Sequence, residues 1–166
     1  MSTIDYIRRS LQTSRNLTLA LIDDLKDAPM QVPTTNGGNP PIWILGHLTY
    51  GEANIVESII EGKPNPLLSW DATFGAGKEP STELESYPPW DELRATFETV
   101  REKTLALLDR LDDADLEKPV KKCPEGREDF FGTIEQCMMV LTLHPLMHYG
   151  QLTDSRRVLG RAPLRR

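Results

Sequence analysis

Apolar positions recur along this chain at alternating spacings of three and four, in four separate stretches. From about Ile4 to Lys26, the positions Ile4, Ile7, Leu11, Ser14, Thr18, Ile22 and Leu25 keep the step of one buried helix face. Pro29, Pro33 and Asn36-Gly37-Gly38 end that stretch. A second opens at Asn39-Pro40-Pro41, where proline suits a first helical turn, and runs through Ile44, Leu48, Gly51, Ile55 and Ile59 to a stop at Gly62 and Pro64. The third begins near Pro89-Trp90 and carries Leu93, Phe97, Val100, Thr104, Leu107 and Leu111. The fourth, reached through a charged connector around Lys121–Asp129, spans roughly Thr133 to Leu159 and stops at Gly160 and Pro163. Its inward line is Ile134, Cys137 or Met138, Leu141, His144, His148, Leu152 and Leu159. No run alternates every second residue with β-branched content, so strands are not expected.

Four helices with one apolar face each are best buried as an all-α four-helix bundle, here one domain over residues 1–166. The long loop between helices 2 and 3, residues 63–88, sets this bundle apart from simple up-and-down hairpins. It holds Pro64, Pro66, Gly75, Gly77, Pro80 and Pro88, but also Trp70, Phe74 and Tyr87. Loops of that length often act as lids or binding loops. The expectation here is that the aromatic rings pin the loop to the bundle.

Composition narrows the function classes. The 166 residues are 39% hydrophobic and 27% charged, an ordinary globular balance. The net charge of −6 and the lack of a basic stripe argue against nucleic-acid binding. No apolar run is long enough to span a bilayer, and the N-terminus does not read as a signal peptide, so a cytoplasmic location is expected. Cys123 and Cys137 are too few for a disulfide scaffold and form no C-x-x-C pair.

The chemistry lies in three histidines. His144 and His148 stand at i and i+4, so they project from one face of the fourth helix. His47 lies beside the stripe of the second, and Gly51, one turn on, is expected to leave space for its imidazole at a cost of about 1 kcal/mol in helix propensity. A lone histidine on an apolar face is usually a core residue. Three buried together without a shared partner would leave nitrogens that cost roughly 1–3 kcal/mol each. A common divalent ion removes that cost, with imidazole nitrogens at about 2.0–2.1 Å in the case of zinc.

Several sharper motifs are excluded. His144-Pro145-Leu146-Met147-His148 has the histidine spacing of a zinc-peptidase helix, but proline replaces the glutamate base. No Glu-x-x-His occurs, so a di-iron bundle is out. Cys137 lies about 10.5 Å of helix rise before His144, too far to share its ion. Pro145 removes a helix hydrogen bond and is expected to kink or widen the turn beside His144.

Trp43-Ile-Leu-Gly-His47-Leu48 on the second helix and His144-x-x-x-His148-x-Gly150-Gln151-Leu152 on the fourth resemble the DinB/YfiT-like superfamily. Phe74-Gly-x-Gly77 and Tyr87-Pro88 are similar to the middle of the same family, and the likeness covers nearly the whole chain. The resemblance implies a four-helix bundle in which His47, His144 and His148 bind a divalent metal, zinc or nickel, and a homodimer. It also implies a low-molecular-weight thiol as cosubstrate, since characterised relatives include transferases that use bacillithiol or mycothiol, and a thiol-dependent isomerase. Proline at position 145 departs from the family pattern.

Three protein ligands leave an open position, as catalytic sites do. An ion there could activate water or hold a thiol as thiolate. Gln151, Asn54 and Glu52 are the candidates to orient the imidazoles, lying within a turn or two of them. Two readings follow. One is a metal-dependent enzyme, a thiol S-transferase or small-molecule hydrolase acting on a small-molecule substrate, with no residue marked as general base. The other is a non-catalytic, metal-stabilised dimerisation or stress-response module. A metal-free bundle with three core histidines is the third and plainest outcome.

Overall fold

The computed structural model of the chain describes residues 1–164 and is all-α, with no strand among them. Four long helices form the body. The first, α1 (Thr3–Asp24), begins at Ser2, whose hydroxyl accepts from the Asp5 N–H while the Asp5 carboxylate accepts from the Ser2 N–H. That exchange satisfies two donors which a helix start otherwise leaves open. Next comes α2 (Pro41–Ala53), with proline at its first position, continuing as π-helical turns over Asn54–Ile60. The single turn α3 (Asp71–Phe74) precedes α4 (Trp90–Leu108), and the single turn α5 (Glu128–Phe131) precedes α6 (Ile134–Val158). Thr133 and Gln136 cap α6 by the same reciprocal arrangement as Ser2 and Asp5.

Side-chain pairs fix the helix directions. Ile4 and Ile134 share one apolar cluster, Thr18 Oγ1 lies 3.1 Å from the Pro145 carbonyl oxygen, and Arg156 pairs with Asp24. α1 and α6 therefore run parallel. Glu52 pairs with Arg101 and Glu61 with Arg110, so α2 and α4 are also parallel, against the other two. Parallel neighbours need a connection that returns the length of the bundle, which is why the chain between α2 and α4 is long.

That connection is not structureless. It contains 3-10 turns at Leu68–Trp70 and Leu84–Ser86 as well as α3. Phe74 is fully buried, Tyr87 is 6% exposed, and Trp70 packs against the same cluster. The rings pin the loop, as expected from their apolar area.

The sequence suggests a single apolar stripe on the second helix, whereas α2 is buried on nearly all sides, including Ile42, Trp43, Leu45 and Ala53 besides Ile44 and Leu48. The reason is tertiary: one side packs in the bundle and another is covered by α3. α6 runs unbroken through Pro145, which is buried. Cys137 is a core filler, fully buried, and burial pushes its thiol up to about 12. No helix among the described residues is long and apolar enough to cross a membrane.

Candidate metal centre

Four residues of α2, Trp43, Gly46, His47 and Tyr50, lie at i, i+3, i+4 and i+7 and so form one face of the helix. The loop after α2 docks on that face. Trp43 Nε1 donates to the Thr73 carbonyl oxygen at 2.8 Å, and the Tyr50 hydroxyl lies 2.6 Å from Asp71 Oδ1. Burial, and then the Asp71 carboxylate, push the Tyr50 phenol up to about 12, so it is a hydrogen-bond donor at neutral pH. Gly46 lets the Phe74 ring pack directly against the helix: a Cβ there would sit 2.1 Å from Phe74 Cε1. At Gly51 a Cβ would only touch the edge of the His144 ring, at 3.4 Å. The glycine that the packing demands is thus Gly46, not Gly51, and the ring beside Gly51 is that of His144 rather than His47.

The three histidines come together. His47 Nε2 is 3.1 Å from His144 Nε2, and His148 Nε2 is 3.2 Å from the same atom. All three offer ligand atoms within 4.8 Å of one another, a spacing that could hold a metal ion. The other ring nitrogens of two of them are fixed. His47 Nδ1 lies 2.7 Å from the Phe74 carbonyl oxygen, and His148 Nδ1 lies 2.8 Å from Gln151 Oε1. Asn39 Nδ2 donates to the same Gln151 oxygen at 3.4 Å, which marks that atom as an acceptor. Both Nδ1 atoms therefore carry the proton, and both Nε2 lone pairs face His144. The indole of Trp43 stacks on the His47 ring at 4.5 Å between centroids, with the planes 10° apart.

One proton on His144 Nε2 can serve one of those lone pairs but not both. The shared point thus has more lone pairs than donors, which is the arrangement that suits a cation. The rings are also held neutral. Burial lowers the pKa of His47 and of His148, although the Phe74 carbonyl and Gln151 pull the other way. Burial, together with the two neighbouring imidazoles, takes His144 down to about 3. Neutral imidazole is the ligating form. Three imidazole nitrogens are a donor set that could hold a divalent metal ion.

Of the three residues expected to orient the rings, Gln151 does so. Glu52 does not: it is buried and spent on Arg101 Nη2 at 2.9 Å and on the Thr104 hydroxyl at 2.5 Å. No hydrogen bond joins Asn54 to a histidine among the described residues, and it begins the π-helical turns instead. The Phe74 carbonyl was not legible from sequence, because a main-chain oxygen has no residue type to announce it. The only hint was an aromatic residue in a loop too long to be idle.

A family model described as the DinB superfamily matches residues 10–152. The fold is similar to a crystal structure described as the conserved protein of a locus from Enterococcus faecalis, with a TM-score of 0.71 at 15% identity, covering 97% of this chain and 99% of that one. No curated protein matches the sequence. With its helical fold and three converging histidines, the chain belongs to the DinB superfamily.

Proposed function

We propose that this protein binds one divalent cation through Nε2 of His47, His144 and His148 and acts as a metal-dependent enzyme on a small-molecule electrophile, with a low-molecular-weight thiol as cosubstrate. The observation that carries this reading is the convergence of three Nε2 atoms, two of them fixed as lone-pair donors by Phe74 and Gln151. A cation held by three imidazoles supplies Lewis acidity at its open position and lowers the pKa of a thiol or water that enters there.

The chain's own residues do the rest. The Phe74 carbonyl and Gln151 hold two rings in one tautomer and orientation, so the site needs little rearrangement to receive its ion. Trp43 walls off one side. His47 and His144 are only half-buried, which leaves an approach from solvent.

A thiol is preferred to water because of the resemblance to the family, whose characterised relatives include thiol-dependent transferases. Among the described residues no carboxylate is hydrogen-bonded to any of the three histidines, and Glu52, the nearest acidic residue in sequence to His47, is committed elsewhere. Hydrolysis is usually assisted by a general base. A thiolate is already the competent nucleophile once its proton has gone to solvent. In a transfer to a haloalkane, a sulfur–carbon bond forms, the carbon–halogen bond breaks, and halide leaves with the electron pair.

The test is elemental analysis of purified protein, followed by a transfer assay with bacillithiol or mycothiol and a halogenated electrophile. Stoichiometric zinc or nickel and turnover that vanishes on chelation are expected. Metal without turnover, and a chelator effect confined to melting temperature, would instead establish the non-catalytic metal-stabilised module.

A further inference from the structure

Arginines gather at the C-terminal end of α6. After Asp154 the chain carries five of them and no acidic residue, although its net charge is −6. Arg156, Arg157 and Arg161 line a cleft of about 310 Å³ together with Leu21 of α1 and residues 162–164. That volume is at the small end of ligand pockets. The cleft shares no residue with the histidine centre, and Arg157 lies about 13.5 Å of helix rise beyond His148.

Part of this charge is structural. Arg156 is only 5% exposed, and its Nε and Nη2 reach the Asp24 carboxylate and the Ala162 carbonyl oxygen. Arg161 Nη1 donates to the carbonyl and the carboxylate of Asp24. These bonds tie the segment after α6 to the end of α1 and satisfy a carbonyl that a helix end leaves open. They do not use up the donors. Arg156 Nη1, and Nε and Nη2 of Arg161, make no hydrogen bond among the described residues. Arg157 is exposed, and its side chain forms neither a hydrogen bond nor an ion pair among them. Charge is left over as well. Three guanidiniums meet one carboxylate, that of Asp24, and the C-terminal ends of α1 and α6, each worth roughly half a negative charge. An excess of about one positive charge remains.

We propose that this cleft binds a small organic carboxylate with an apolar body, its charge on Arg157 and Arg161 and its body against Leu21, Pro163 and Leu164. A monoanion answers the excess charge, and a planar carboxylate accepts two parallel N–H bonds from one guanidinium. The remaining wall offers apolar side chains, with Tyr149 beside them. A phosphate dianion overshoots the charge, and its further oxygens would meet that wall without a partner. The site is independent of any ion at the histidines.

Isothermal titration of the full-length protein with phenylacetate and with hexanoate tests this directly. Saturable one-to-one binding is expected, with acetate, benzyl alcohol and inorganic phosphate each about tenfold weaker or more, since each lacks the body, the charge or the fit. Arg157→Glu is expected to weaken phenylacetate about tenfold or more. Its helical circular dichroism should not change, because Arg157 has no bonded partner among the described residues. Arg157→Lys, which keeps the charge but not the planar fork, is expected to recover only part of the affinity. His144→Ala should bind phenylacetate as the wild type does. No saturable binding of either acid up to about 10 mM would overturn the proposal, and so would phosphate bound as tightly as phenylacetate. Binding that survives Arg157→Glu but is lost in His144→Ala would also overturn it, by placing the acid at the histidines.

Discussion

His47 Nδ1 is held by the main-chain oxygen of Phe74 at 2.7 Å, so a residue of the α2–α4 connection sets the tautomer of a ring on α2. The Phe74 side chain is buried against Gly46, one residue before that histidine. Loop packing and ring orientation are therefore one arrangement seen from two sides.

Gly46→Ala puts this coupling to the test. The added methyl falls inside the Phe74 ring, and overpacking of this kind costs about 1–3 kcal/mol. Because the displaced segment also carries the His47 acceptor, zinc affinity should fall about tenfold or more. Gly51→Ala, where a Cβ meets only the edge of His144 at 3.4 Å, should change both quantities far less. Thermal melts and competitive zinc titration of the two variants separate the outcomes.

Gln151→Ala removes the acceptor for His148 Nδ1 and frees that ring to turn. Metal affinity is expected to drop about 10–100-fold with only a small change in the stability of the metal-free protein. Titration with a chromophoric zinc competitor measures it. An unchanged affinity would show that packing alone orients His148.

Replacing His144 by alanine should abolish stoichiometric metal, because His144 Nε2 is the atom both other rings face. The metal-free form should lose little stability, or gain some, since two lone pairs no longer converge on an unsatisfied point. Elemental analysis and calorimetry on the variant report the two effects separately.

Acid should destabilise the metal-free protein through these rings. All three have pKa values lowered in the folded state, against 6.5 as the ordinary value. Below about 6.5 the unfolded chain takes up protons that the folded chain does not, so unfolding becomes easier as pH falls. The loss continues toward the value of about 3 at His144. Melting temperature followed from neutral pH downward should fall more steeply for the wild type than for a His144→Ala, His148→Ala double variant.

Glu52 carries a structural prediction instead of a catalytic one. The Glu52 and Arg101 side chains are 7% and 4% exposed, and Arg101 Nε and Nη1 have no hydrogen-bond partner among the described residues. Glu52→Ala leaves that cation buried and unpaired, a change that typically costs about 3–5 kcal/mol. Urea denaturation measures the loss. Metal stoichiometry should survive wherever the variant remains folded, since Glu52 touches no histidine.

What the sequence determined by itself was whatever rests on local spacing. The three-and-four step of Leu93, Phe97, Val100, Thr104 and Leu107 required α4, and the i,i+4 placement of His144 and His148 required that they share a face of α6. Gln151 was legible because it follows His148 on the same helix. The tertiary structure alone decided the relations between elements. α2 had to lie parallel to α4 and beside α6 for His47 to reach the pair, and α3 had to dock on Trp43, Gly46 and Tyr50 to bring a carbonyl to it. Glu52, one position past Gly51, turned instead toward Arg101 on another helix. The physical reason is that helix periodicity is a property of neighbours along the chain. Partners across a bundle are chosen by burial, and a main-chain oxygen is available from any residue type.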